Sequence, residues 1–114
     1  MTKLSIVIIT WNGIHHIQKC LQSLNDFYRC SDVEIIIVDN GSHDGTTEWL
    51  KERYPKINLV ELTENKGVAY ARNCGLKLAV GEYILVLDND TIVTNQAING
   101  MVGYMDVNPD VGLC

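Results

Sequence analysis

The sequence of 114 residues has little of several features, and each shortage excludes a class of protein. It has nine Lys and Arg residues against 14 Asp and Glu, and the net charge of -5 argues against a broad nucleic-acid-binding surface. Its longest mainly apolar run, Leu4–Ile9, is far too short to cross a bilayer, and it does not resemble the core of a signal peptide. We therefore expect one globular domain with no nucleic-acid partner and no membrane span in this chain.

The four cysteines, Cys20, Cys30, Cys74 and Cys114, form no CxxC pair. This spacing is typical neither of a zinc framework nor of a redox motif. In the absence of an export signal we expect reduced thiols in a cytoplasmic protein, and a disulfide stays open as the alternative.

Four apolar blocks rich in β-branched residues alternate with stretches of helical character. The blocks are Leu4–Ile9, Val33–Val38, Ile57–Leu62 and Tyr83–Leu87. The first, second and fourth are almost continuously apolar, as strands buried on both faces must be, so we expect them at the centre of a parallel sheet. Asn58 and Glu61 interrupt the third block, which is typical of an edge strand.

Apolar residues at helical spacing between the first two blocks predict a crossover helix that begins after a cap at Asn12. A second helix is predicted from near Asp44, and it must stop before Pro55 because proline disfavours helical geometry at the preceding residue. This alternation predicts an α/β fold with an open, mostly parallel sheet and right-handed crossover helices.

Two more helices and a chain end complete the pattern. The third helix is predicted over Gly67–Val80 and ends at Gly81 as a left-handed cap, with Gly75 packed closely against the sheet. A fourth helix is predicted over Asn95–Met105. The last residues, Val111–Cys114, resemble the start of another strand, so we expect the 114 residues to be the first part of a longer protein.

Polar segments follow the four strands, beyond whose carboxyl ends open α/β sheets bind their ligands. These segments are residues 10–13, 39–46, 63–67 and 88–90. The first contains the single glycine Gly13 rather than a GxGxxG pattern, and no GxxxxGK run followed by Ser or Thr is present. The acidic pair of a phosphoacceptor receiver domain is also missing, since Thr10 and Asn12 occupy that place.

Asp88 and Asp90 are one residue apart at the end of an apolar strand. Two carboxylates about 6 Å apart repel each other by roughly 1–3 kcal/mol between the dielectric of water and that of a protein surface. A divalent cation reverses that repulsion, and Mg²⁺ or Mn²⁺ suits hard oxygen ligands whose shell is completed by substrate phosphates. The pair therefore predicts a metal bridge to a diphosphate, and the alternative is that both aspartates only shape the following turn.

Taken together in their order, four segments resemble the family 2 glycosyltransferases. They are Leu4–Asn12; Val38–Ser42 with Asp44–Thr46; Asn65–Gly67 with Ala71–Asn73 and Gly75–Leu76; and Gly81–Tyr83 leading to Leu87–Asp90. The resemblance implies a GT-A fold with its Rossmann-like, nucleotide-binding half in this chain. It also implies transfer of a sugar, with inversion, from a nucleotide-diphosphate donor to a carbohydrate or lipid-linked acceptor.

The resemblance implies roles for five residues. Thr10 and Asp39 would hold the nucleoside, with Asp39 accepting a hydrogen bond from the base, and Arg72 would lie near the nucleotide. Asp88 would lie near the ribose or the metal. Asp90 would ligate the Mg²⁺ or Mn²⁺ ion, which as a Lewis acid neutralises charge on the departing nucleoside diphosphate.

The same resemblance gives no role to Asn89, because the middle residue of such triplets varies. It places the general base in a later segment, beyond residue 114, since Asp106 and Asp110 are predicted at a helix end and a turn. We therefore expect this chain alone to bind donor but not to turn it over efficiently. The family implies a cytoplasmic location, at the inner face of the membrane, in an envelope or polysaccharide pathway.

Two other functions stay open. One is a noncatalytic nucleotide-sugar-binding module that keeps the donor site and lacks the acceptor half. The other is a nucleotidyltransferase, which shares a related sheet and metal-carboxylate chemistry. A nucleotidyltransferase is expected to have a glycine-rich loop with Arg and Lys after the first strand, and residues 10–16 contain neither.

Overall fold

The strands and helices alternate along the chain in a computed structural model that describes residues 1–113. In order they are β1 (Leu4–Thr10), α1 (Ile14–Ser23), α2 (Asn25–Tyr28), β2 (Val33–Asp39), α3 (Thr46–Arg53), β3 (Asn58–Glu61), α4 (Val68–Leu78), β4 (Tyr83–Asp88) and α5 (Asn95–Val107). Each strand falls within or closely matches a predicted apolar block, because β-branched side chains suit a buried, pleated surface.

The four strands form one parallel sheet in the order β3-β2-β1-β4. The last residue of β1, Thr10, lies opposite Asp39 of β2, and Ile9 lies opposite Asp88 of β4. β3 pairs only with the second half of β2 and lies at an edge, which confirms its predicted position. The carboxyl ends of all four strands therefore lie along one edge of the sheet.

The predicted central position of the fourth strand is wrong for the described residues. β4 lies at the other edge of the sheet, with Ile84 and Val86 45% and 37% exposed, while Leu85 and Leu87 pack against the core. Its continuous apolar run led to the error, because such a run reports apolar faces and carries no information about strand order.

Helices cover the two faces of the sheet and form two separate cores. The larger core includes Ile6, Ile8, Ile35 and Ile37 of the sheet with Ile17, Leu21, Leu50 and Ile98 of the helices. On the other face, α4 packs Ala71 against Val7, Ile36 and Val38. A Cβ atom on Gly75 would lie 2.4 Å from Cγ1 of Val7, so the predicted close packing at this glycine is confirmed.

The predicted Asn12 cap of the first helix is wrong. α1 begins at Ile14, and the residue at its N-cap position is Gly13, which has no side chain that could cap the helix. Asn12 has a left-handed backbone with φ of 46°, and its Oδ1 accepts a hydrogen bond from the backbone N–H of His43 at 2.7 Å. Asp44 takes over the capping role, since its Oδ2 accepts from the N–H of Ile14 at 3.1 Å. A cap from a distant loop thus replaces the local one.

Two predicted features near chain turns also differ. α4 ends where Ala79 becomes extended, and Gly81 is not a left-handed cap. Gly81 instead leaves room for β1, because a Cβ there would lie 2.6 Å from the backbone nitrogen of Ser5. Val111–Leu113 form no strand, and the remaining residue of that prediction, Cys114, lies outside the described residues.

Three cysteines, Cys20, Cys30 and Cys74, carry free thiols. Burial, reinforced by the negative charge of Asp90, raises the pKa of Cys20 to about 11. Within residues 1–113, no helix has both the length and the apolar character needed to span a membrane.

Candidate functional site

Four of the five predicted site residues lie at the carboxyl edge of the sheet. Thr10 and Asp39 are neighbours across β1 and β2, and they are only 1% and 2% exposed. Asp88 ends β4, and Asp90 follows two residues later, both on the surface. The folding of the four strands in parallel register is what brings these positions together.

The carboxylate of Asp39 is held on one side and unpaired on the other. Its Oδ2 accepts a hydrogen bond from the backbone N–H of Ser42 at 2.8 Å. Its Oδ1 is buried and has no hydrogen-bond partner in the described part of the chain. A buried acceptor without a partner costs about 1–3 kcal/mol, and such an atom in a native structure needs an explanation. An N–H group of a ligand supplies one.

The turn after Asp39 is rigid. Gly41 has φ of 86°, and a Cβ there would lie 2.7 Å from the backbone Cα of Glu64, so this position requires glycine on both counts. Asp44 is partly desolvated, which alone raises its pKa. The hydrogen bonds from the Thr46 hydroxyl and from the backbone N–H groups of Ile14 and Thr46 outweigh that effect, and the pKa of Asp44 lies below its usual value.

Asn40, directly after β2, joins the end of β1 to the loop that precedes α4, and it was missed by the sequence interpretation. Its backbone N–H donates to the carbonyl oxygen of Thr10 at 2.8 Å. Its side chain, 2% exposed, accepts from the N–H of Lys66 at 2.9 Å and donates to the carbonyl oxygen of Gly67 at 3.2 Å. The only sequence signal was an amide residue directly after a strand, which is also typical of an ordinary turn.

Asn89 makes the second contact that the sequence interpretation missed. Its Nδ2 donates to Oγ1 of Thr10 at 3.0 Å, across 79 positions of the sequence. The end of β4 is thereby tied to the end of β1 by a side chain that had no predicted role.

Asp88 and Asp90 fit a divalent cation by the chemistry of their donor atoms. Within residues 1–113, neither side chain forms an ion pair or a hydrogen bond, so four hard carboxylate oxygens are free. No group of three or more His, Cys, Asp or Glu side chains in the described residues makes a complete metal cage. Mg²⁺ commonly takes one or two carboxylates and leaves the other positions to water and phosphate, so a two-carboxylate set is adequate.

Arg72 does not join the other four residues directly. It lies one helical turn into α4, which begins at Val68, and no hydrogen bond within residues 1–113 links it to them. Its Nε is buried and has no partner in the described residues.

The site residues are divided between the two faces of the sheet. Side chains alternate along β4, so Asp88 points to the face that carries α4, whereas Thr10 and Asp39 point to the opposite face.

The fold and the site define an open α/β domain with a candidate ligand site at the carboxyl edge of its sheet. An open parallel sheet presents a buried acceptor and an acidic pair beyond the carboxyl ends of its strands, which is where such sheets bind nucleotides. Residues 5–114 match Glycosyl transferase family 2, and the chain belongs to that family. The predicted family membership is thereby confirmed.

Relatives and solved structures agree with this assignment. The chain is 40% identical over 101 residues to a poly(ribitol-phosphate) beta-glucosyltransferase of Bacillus spizizenii, an alignment that covers 84% of this chain and 16% of that protein. The structure of Staphylococcus aureus TarS 1–349 in complex with UDP-GlcNAc has a TM-score of 0.79 at 27% identity, covering 93% of this chain and 32% of that one.

A mannosyltransferase from Pyrobaculum calidifontis, PcManGT, in complex with GDP-Man and Mn²⁺, has a TM-score of 0.82 at 27% identity. That likeness covers 90% of this chain and 32% of the other. The likenesses to these structures confirm the predicted GT-A, Rossmann-like fold. The chain spans a third or less of the length of each of these proteins.

Proposed function

We propose that this chain is the donor-binding part of a longer glycosyltransferase. That enzyme transfers a sugar from a nucleotide-diphosphate donor to a hydroxyl group of a carbohydrate or lipid-linked acceptor, with inversion and with the help of a metal ion. The observation that carries the proposal is the buried, unpaired Oδ1 of Asp39 at the carboxyl edge of the sheet. The solved complexes of TarS with UDP-GlcNAc and of PcManGT with GDP-Man support it.

Asp39 selects the nucleobase in this proposal. A carboxylate oxygen accepts hydrogen bonds and cannot donate them. Oδ1 therefore favours bases with a ring N–H, namely uracil, thymine and guanine. The corresponding ring nitrogen of cytosine or adenine carries no proton and cannot donate, so these bases would have to shift and use an exocyclic amino group to reach the oxygen. Thr10 lies beside Asp39 and completes the nucleoside-binding edge.

The diphosphate needs positive charge, since the chain carries a net charge of -5. Asp88 and Asp90 would hold Mg²⁺ or Mn²⁺, and the bound ion would neutralise charge on the departing nucleoside diphosphate. Arg72 supplies a fixed cation on the α4 face, with its unpaired Nε as a donor. The Mn²⁺ in the PcManGT complex supports a divalent cation.

The general base of the transfer is proposed to lie beyond residue 114. Asp106 is unsuited to the role, because the hydrogen bonds from the Lys3 ammonium and the Tyr83 hydroxyl, both at 2.7 Å, hold its pKa below the usual value. Lys3 and Tyr83 adjoin the amino ends of β1 and β4, at the far edge of the sheet from the site. The isolated chain therefore binds donor without efficient turnover.

The acceptor and the location are parts of the same proposal. The B. spizizenii relative is named for transfer to poly(ribitol-phosphate), which supports a polyhydroxyl polymer of the cell envelope as the acceptor class. We place the reaction in the cytoplasm, at the inner face of the membrane.

Titration of the chain with UDP, GDP, dTDP and CDP, with and without Mn²⁺, tests donor binding. The change in the free energy of unfolding reports binding, because a ligand at a hundredfold over its dissociation constant adds about 2.7 kcal/mol. We expect the first three nucleotides to stabilise the chain more than CDP, and more strongly with Mn²⁺. If none of them changes the melting temperature at millimolar concentration, the proposed donor site is wrong.

Two variants separate the base contact from the metal contact. Asp39→Asn replaces the unpaired acceptor by a donor and should weaken UDP binding by about 1.5–3 kcal/mol, the value of a hydrogen bond to a charged group, with or without Mn²⁺. Asp90→Ala should remove only the part of the UDP affinity that depends on Mn²⁺. Asp110→Ala, the same change at an exposed aspartate, is the matched control. An intact Mn²⁺ response in Asp90→Ala refutes the metal assignment.

A further inference from the structure

The segment that carries the two candidate metal ligands has one side-chain anchor in the described residues. Asp88 and Asp90 make no side-chain hydrogen bond there, whereas Nδ2 of Asn89, between them, donates to Oγ1 of Thr10 at 3.0 Å. The geometry of the acidic pair relative to the rest of the edge therefore depends on the amide of Asn89.

The loop after β1 is shaped to receive this amide. A Cβ atom on Gly13 would lie 2.3 Å from Nδ2 of Asn89, and the next nearest atom outside Asn89 is 3.6 Å away. The φ of Gly13 is -124°, so the glycine is needed for space and not for a left-handed backbone. Gly13 is thus a socket for the side chain of Asn89.

The anchor is connected to the nucleoside side of the site. Thr10 accepts two hydrogen bonds: its Oγ1 accepts from the amide of Asn89, and its carbonyl oxygen accepts from the backbone N–H of Asn40 at 2.8 Å. It also lies opposite Asp39 in the sheet. One residue thereby joins the tip of β4 to the tip of β2. A shift of Asn89 changes the distance from the acidic pair to the nucleoside edge.

We propose that Asn89 is a positioning residue that sets the place of Asp88 and Asp90 relative to the nucleoside-binding edge, with Gly13 as its socket. This inference rests on the proposed function. A neutral amide suits the role, because it donates to Thr10 without adding a third negative charge between two carboxylates.

The test measures UDP affinity of the purified chain by calorimetry, with MnCl₂ and with EDTA. In Asn89→Ala the gain in affinity from Mn²⁺ should fall on the order of 10-fold, as for groups that orient metal ligands. The affinity in EDTA should be unchanged, which a general loosening of the site would not allow. Asn99→Ala changes an exposed asparagine of α5 and should leave both affinities as they are.

A double-mutant cycle tests the socket. Gly13→Ala should reduce the Mn²⁺ gain as Asn89→Ala does, because the new methyl group displaces the amide. In the double variant the methyl group has no amide to clash with. The loss of the Mn²⁺ gain should therefore be no larger than in Asn89→Ala alone. Backbone strain at residue 13 would instead appear equally in both backgrounds.

The outcomes distinguish this inference from the function on which it rests. If the unmodified chain shows no Mn²⁺-dependent binding of UDP, the proposed metal function is refuted, and the role of Asn89 falls with it. If the unmodified chain binds and Asn89→Ala keeps the full Mn²⁺ gain, only the positioning role is refuted. The positioning role is also refuted if Asn89→Ala lowers the UDP affinity equally with MnCl₂ and with EDTA. Additive losses of the Mn²⁺ gain from Gly13→Ala and Asn89→Ala in the double-mutant cycle would refute it as well.

Discussion

Replacing Gly75 by alanine introduces a methyl group at the contact between α4 and the sheet. The added Cβ would lie 2.4 Å from Cγ1 of Val7 and 3.4 Å from Cγ2 of Val38, and both valines are fully buried. Val7 belongs to β1, which is paired with a strand on either side, so its backbone has no freedom to withdraw. The methyl group must therefore be accommodated by strain in α4 or in side-chain rotamers.

The expected magnitude follows from two opposing terms. Alanine is favoured over glycine in a helix interior by about 1 kcal/mol, whereas overpacking a core costs about 1–3 kcal/mol. Gly75→Ala should thus lower the free energy of unfolding by up to about 2 kcal/mol. Gly100→Ala, in α5, meets no atom within 4 Å and should raise it by about 1 kcal/mol. The difference between these two variants isolates the cost of the contact.

Urea unfolding followed by circular dichroism measures both variants against the unmodified chain. Each kcal/mol corresponds to about 4 °C in melting temperature for a domain of this size, so thermal melts give an independent reading. Val7→Ala removes the clashing methyl group, and in that background Gly75→Ala should no longer be destabilising. If Gly75→Ala stabilises the unmodified chain as much as Gly100→Ala does, the close approach of α4 to β1 is wrong.

Three further changes probe other parts of the structure. Asn40→Ala leaves the backbone N–H of Lys66 and the carbonyl oxygen of Gly67 unpaired and should lower the free energy of unfolding by about 1–3 kcal/mol in urea melts, and an unchanged midpoint would contradict the bridging role. The pKa of Asp44 is lowered by folding, so its carboxylate stabilises the fold above the unfolded pKa of about 3.9 and loses that effect as the pH falls through the folded value. The stability difference between the unmodified chain and Asp44→Asn should therefore be constant from about pH 5 to 7 and shrink below about pH 4, and a difference that ignores pH would disprove this assignment. Because burial raises the pKa of Cys20 to about 11, a thiol reagent at pH 8 should modify the exposed Cys30 first, and modification of Cys20 at an equal rate would show that it is not buried.

The sequence predicted those parts of the fold that depend on local pattern. The apolar blocks gave all four strands, and the polar Asn58 and Glu61 placed β3 at an edge. The edge position of β4 was not predictable in the same way. The order of strands in a sheet depends on the path of each crossover connection, and the composition of a strand does not report that path. The cap of α1 failed for a similar reason, since the side chain of Asn12 bonds to a loop about thirty positions away rather than to its own helix.

The candidate site shows the same division. That Thr10, Asp39 and Asp88 lie at one edge of the sheet follows from parallel strands alone, and the structure places them there, with Asp88 on the opposite face from the other two. The bonds of Asn40 and Asn89 were beyond sequence reasoning, because each depends on the relative placement of two loops. An asparagine after a strand is typical of turns, and nothing local distinguishes one that bridges strand tips.

The place of β1 at the centre of the sheet bears on how the chain is made. β1 is synthesised before both of its partners, and one of them, β4, starts only at Tyr83. Until then the backbone N–H and C=O groups of β1 that face β4 have no strand to pair with, and closing so long a loop slows pairing. We expect nascent chains that stop before Tyr83 to depend on chaperones and those that include Asp88 to become resistant to protease. Of the four described strands, the earliest in the chain is therefore among the last to have all its neighbours in place.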